Sequence, residues 1–125
     1  MRDSVVWALG TVGLPAIAPL VDAAGDEDAE LRGEAVLALG RFSEHAAMKL
    51  PVIIKSLDDS APRVRRRAAR AVFGHGESAH RDRSNYDEET FSMLVAAIDR
   101  IAQDQNIDVD AERLDRVRTW LRPGL

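Results

Sequence analysis

The sequence predicts an all-α fold in which helical hairpins stack side by side into a solenoid. Two observations carry that prediction. The first is a repeat: residues 31–40 read LRGEAVLALG, residues 2–10 read RDSVVWALG, and residues 64–73 read VRRRAARAVF. The second is that another block recurs in phase with it. Leu20-Val21-x-x-Ala24-x-Asp26 precedes Arg32 at the same spacing by which Ile53-Ile54-x-x-Leu57-x-Asp59 precedes Arg65. A period of about 33 residues is that of stacked supersecondary units, each covering the apolar face its neighbour cannot bury alone.

The elements follow in order. A helix over about 2–9 stops at Gly10, a common C-terminal residue. The next starts near Leu14-Pro15, where a proline's missing N–H does no harm. Ile17, Leu20, Val21 and Ala24 give it helical spacing, and Pro19 inside it predicts a bend. A third helix covers about 29–39 and ends at Gly40. A fourth covers about 46–57, with Leu50, Ile53, Ile54 and Leu57 on one face and Pro51 nearly repeating the place of Pro19. Pro62 opens a fifth, read as ending at Phe73.

The segment 74–86 that follows is polar and without apolar period, and reads as an exposed loop carrying an insertion. Asp87 then caps a sixth helix, with Tyr86 and Phe91 at the spacing of a hydrophobic staple. Phe91, Leu94, Val95, Ile98 and Ile101 make its stripe. A last helix over about 108–122 is capped by Asp110 and buries Leu114, Val117 and Leu121. The whole is one domain of 125 residues, with units at about 1–28, 29–61 and 62–106 and a C-terminal capping helix.

Composition narrows the function. Hydrophobic residues are 46% and aromatics only 5%, so Ala, Leu, Val and Ile must form the core. A net charge of −4 makes the chain as a whole a poor trap for nucleic acid. The absence of cysteine removes disulfides, thiolate nucleophiles and thiolate metal sites. Neither a membrane-length apolar run nor a tripartite leader is legible, and a cytoplasmic protein is expected.

The block L-V/I-x-x-A/L-x-D, then R six residues later, then A-x-x-A-L-G, resembles HEAT repeats. It looks most like the short prokaryotic type found in bilin-lyase-like proteins. The resemblance recurs in phase over 1–73 and weakens after 87. It implies a right-handed α–α superhelix of about three hairpins plus the C-terminal cap. It also implies that Asp26, Arg32, Asp59 and Arg65 are structural, forming a ladder of charged hydrogen bonds along the stack. Position 100, matched to Asp59, is Arg100, and Asn106 falls where the next ladder arginine would stand, so the ladder is expected to stop there.

Candidate binding residues fall into three groups. Arg63, Arg66, Arg67 and Arg70 make one stripe on the fifth helix, able to grip phosphate or an acidic partner. Repeat register offers Arg63 and Arg67 a structural alternative, since Glu30 and Glu34 lie one period upstream; Arg66 and Arg70 match Gly33 and Leu37, so they are the better binding candidates. The second group is the inner surface that second helices line in the resembled family. Here Pro19, Val52 and Met93 fall in register, with Lys49, Lys55 and Arg100 beside them, a row suited to a partner helix or extended peptide. The third is the 74–86 segment, where Arg81 and Arg83 extend the basic stripe. Its His75, Glu77, His80 and Asp82 lack the tight spacing of a zinc site, and no metal or cofactor is expected.

No nucleophile elbow or phosphate loop is present, so the sequence reads as a non-catalytic protein-interaction module. The alternative is a nucleic-acid or phosphate binder using the arginines; a third reading is a bilin-lyase-like cofactor chaperone. Val5, Val6 and Trp7 lack an upstream helix to cover them, which predicts either a longer array or a homodimer through that face.

Overall fold

The computed structural model describes residues 17–41 and 43–121. The helix expected over 2–9 and the dimer face at Val5, Val6 and Trp7 lie outside these residues. Six α-helices run through the described chain: α1 (Ile17–Ala23), α2 (Ala29–Leu39), α3 (Ala46–Ser56), α4 (Pro62–Arg81), α5 (Glu88–Gln103) and α6 (Ala111–Leu121). A short 3-10 turn at Arg83–Asn85 joins α4 to α5.

The helices form two layers. In one, α2 packs on α4 and α4 on α6; in the other, α1 meets α3 and α3 meets α5. Consecutive helices cross between the layers, the arrangement of an α-solenoid. The core between them is aliphatic. Val36, Leu39, Leu50, Ile53, Val64, Val72, Leu94 and Ile98 are buried, together with the aromatics Phe73 and Tyr86.

Small residues set how closely the helices approach. Gly40 closes α2 against α4 so tightly that a Cβ there would lie 2.6 Å from the Cα of Ala71. Farther along α4, a Cβ on Gly76 would lie 2.6 Å from Cγ1 of Val117 on α6. These are places where backbone must meet a neighbouring helix, and only glycine leaves the room.

Aspartates start α2, α5 and α6, while Ala61 before α4 offers no side-chain cap. Asp28 accepts the N–H of Glu30, Asp87 that of Thr90 at 2.8 Å, and Asp110 that of Glu112 at 3.0 Å. The start of α3 differs. His45 stands there with φ 58°, in the left-handed region, and makes no side-chain cap.

The segment from Gly74 to Arg81 corrects the sequence reading. It continues α4 as helix, with His75, Gly76 and Ala79 buried. Ala68, Val72, His75 and Ala79 follow a helical stripe, and burying that stripe against α5 and α6 outweighs the intrinsic cost of Gly74 and Gly76 in a helix.

Candidate functional site

The turns between repeats are built alike. Asp26 Oδ1 accepts the N–H of Asp28, Asp59 Oδ1 that of Ala61 and Asp104 Oδ1 that of Asn106, all at 2.9 Å. Arg32 sends Nη1 into its own turn, onto the carbonyls of Asp26 and Glu27. Its Nε and Nη2 reach across to Asp59 Oδ2 at 2.8 Å and Oδ1 at 2.9 Å, a bidentate fork into the next unit. The hydrogen bonds from Arg32 hold the Asp59 carboxyl below the usual carboxylate range. Arg65 repeats the first half, donating to the carbonyls of Asp59 and Ser60.

The third turn departs from the sequence register. Asp104, not Arg100, takes the turn position of Asp26 and Asp59. Ile107, Asp108 and Val109 then lengthen the connection before Asp110 opens α6. Arg65 Nε accordingly meets the Asn106 carbonyl, at 3.3 Å, rather than a carboxylate. Arg100 pairs instead with Asp58.

The arginine stripe of α4 is divided. Arg63 pairs with Glu30, and Arg67 Nη1 donates to Glu34 Oε1 at 3.0 Å, both across to α2. Arg66 and Arg70 are exposed and have no ion-pair partner among the described residues. They line a depression with Phe73, Val109 and Arg113. Arg113 is fixed there by a second bidentate pair, Nε to Glu77 Oε2 at 2.9 Å and Nη2 to Oε1 at 2.6 Å. Its guanidinium carbon stands 5.5 Å from the Phe73 ring centroid.

On the other layer an open groove runs between α1 and α3. Val21, Ala24 and Val52 are half-buried along it, with Pro51 and Lys55 exposed at its edge. Pro19 is exposed on α1, and Met93 is half-buried on α5. Lys49 does not join this row. It is buried at 7% exposure, and burial lowers its ammonium pKa, so its place as a contact residue is corrected to one within the packed layer.

The third candidate group is also corrected. Arg81 ends α4, near Ser78, and Arg83 lies over the Phe91 ring at 3.6 Å, so neither belongs to a free loop. His75, which the sequence placed in that loop, is fully buried. Its Nε2–H donates to the Leu39 carbonyl at 3.1 Å, and its Nδ1 accepts from the Tyr86 hydroxyl at 2.7 Å. Leu39 O is an end carbonyl of α2, so the imidazole caps one helix from within another. Burial pushes the His75 pKa down to about 4 and raises that of Tyr86 to about 12. Both rings are therefore neutral at physiological pH, and the pair is a closed structural bridge. Sequence reasoning missed it because histidine flanked by glycines has no apolar period of its own.

No helix among the described residues is long and apolar enough to cross a membrane. The described surface thus carries a groove with apolar lining on one layer and, on the other, two exposed guanidinium groups without an ion-pair partner among the described residues. No curated protein matches the sequence. A family model for HEAT repeats matches residues 1–73 and again 17–100, covering both turn ladders and five of the six helices in whole or part. Repeats of this kind commonly serve as scaffolds for other proteins. By that match, together with the two-layered helical stack, the chain belongs to the HEAT-repeat family.

Proposed function

We propose that this chain is a non-catalytic interaction module that seats a helix or extended segment of a partner protein in the groove between α1 and α3. The observation that carries the reading is the lining of that groove. Val21, Ala24 and Val52 stay half-exposed in one row instead of entering the core, and Lys55 stands beside them without an ion-pair partner among the described residues. Small apolar side chains admit a close approach, and Lys55, with the Asp58 and Asp59 carboxylates that also line the groove, fixes the direction of a ligand's charged groups.

The test is a display selection of helical and extended peptides on the wild-type chain, followed by binding to Val52→Glu and Lys55→Glu. Peptides bound in the groove lose affinity by about tenfold or more to Val52→Glu, as charge placed in an apolar contact does. Peptides that bind both variants as well as wild type, or a selection that enriches none, would overturn the reading.

A further inference from the structure

We propose that Arg66 and Arg70 form a second docking point, on the opposite layer, for an acidic protein segment presenting two carboxylates about one helical turn apart. This surface is separate from the α1–α3 groove and does not rest on that groove being occupied.

The argument begins with what the fold requires. Of the four arginines along this face of α4, Arg63 and Arg67 are answered by Glu30 and Glu34 on α2. Arg66 and Arg70 have no ion-pair partner among the described residues, and both are exposed. Like charges at this spacing repel and weaken a helix. The previous repeat has Gly33 and Leu37 at the matching places, so the architecture does not call for cations there. The two guanidinium groups are therefore a charge the fold carries without using.

The surroundings fit a ligand with short anionic arms. Arg66 and Arg70 share their depression with Phe73, Val109 and Arg113. Arg113 is held rigid by Glu77, so one wall is fixed before any ligand arrives. Each free guanidinium can take a carboxylate in a bidentate fork, while the stem of the ligand rests on the apolar edge.

The same depression argues against a polyanion. Asp108 and Asp110 also line it, and the molecule is acidic overall at −4. A nucleic-acid backbone that reached Arg66 and Arg70 would carry its next phosphates onto those carboxylates. A short peptide with two carboxylates brings fewer charges against those aspartates than a run of phosphates does.

The experiment titrates the full chain with a short helical peptide carrying Glu at i and i+4, with the same peptide carrying Gln there, and with a mixed-sequence oligonucleotide. Arginine Nε–H resonances are followed by NMR, at low and moderate salt. The proposal expects the Arg66 and Arg70 resonances to move with the Glu peptide and not with the Gln peptide. It expects R66Q/R70Q to bind the Glu peptide about tenfold more weakly. The wild-type resonances report the site whether or not the double variant folds. No movement at roughly millimolar Glu peptide would overturn the proposal. So would equal binding by R66Q/R70Q. An oligonucleotide that moves the same resonances at lower concentration than the peptide, with the steep salt dependence of phosphate contacts, would overturn it in favour of nucleic acid.

Discussion

Arg32 holds Asp59 through two parallel hydrogen bonds, of 2.8 Å and 2.9 Å, while its third nitrogen holds the turn of its own repeat. One side chain thus fastens two consecutive units. Both partners are largely covered, at 16% and 12% exposure. Asp59→Ala should lower the unfolding free energy by about 1–2 kcal/mol, because a guanidinium is left half-answered. Arg32→Lys keeps the charge but not the fork, and should recover less than half of that loss. Urea midpoints at unchanged slope measure both; a change below about 0.5 kcal/mol in Asp59→Ala would mean the fork is incidental.

His75 makes stability depend on acid. Its folded-state pKa, about 4, lies below the ordinary value of 6.5, so the unfolded chain binds the extra proton first. Stability is then full above about pH 6.5 and falls as pH drops toward 4, by about 3 kcal/mol in all. The Lys49 ammonium adds to the depression, and the Leu39 carbonyl opposes it. Thermal melts across this range, compared with His75→Leu, should show the histidine's part of the slope vanish in the variant.

Tyr86→Phe removes the donor that satisfies His75 Nδ1 in a buried setting. The expected cost is about 1–2 kcal/mol at neutral pH. The freed nitrogen has no solvent to turn to, so hydrogen exchange at the α2 C-terminus should quicken along with the loss. A variant as stable as wild type would show that a water replaces the hydroxyl.

Gly40→Ala should destabilise by about 2 kcal/mol, since the new methyl meets the α4 backbone at Ala71 rather than a side chain that can turn aside. Gly25→Ala is the comparison. Its Cβ would find only the Asp22 carbonyl at 3.6 Å, an ordinary contact, and its stability should stay within about 0.5 kcal/mol of wild type.

Glu30→Gln with Glu34→Gln frees Arg63 and Arg67 while leaving the core untouched. Ion pairs this exposed add little, so the midpoint should move by less than about 1 kcal/mol. Affinity for the acidic peptide should rise, because four guanidinium groups now stand unanswered in place of two. An affinity that falls would argue that the peptide binds elsewhere.

Much of this structure was legible in the residues because the repeat translates position into contact. Glu30 and Glu34 stand one period before Arg63 and Arg67, and the helices that carry them pack side by side. The α4 extension was not legible, since the local signals at Gly74, His75 and Gly76 oppose helix and only α5 and α6 reverse them. The Asp104 turn was missed for a related reason. Matching Asp59 to position 100 stops short, because α5 runs on to Gln103 before the turn opens at Asp104. Lys49 falls on the exposed row by register, yet its stem is drawn into the layer beside His75.

The substitution of a carbonyl for a carboxylate at the last rung has a consequence for how the array comes apart. The Arg32 clasp depends on an ionised Asp59, so acid releases it. Arg65 clasps the Asn106 main chain, which has no proton to gain. The two joints along the stack therefore answer differently to the same change of medium. On acidification the Arg32–Asp59 rung should weaken while the Arg65–Asn106 rung does not, so the described part of the turn ladder responds unevenly to the same proton.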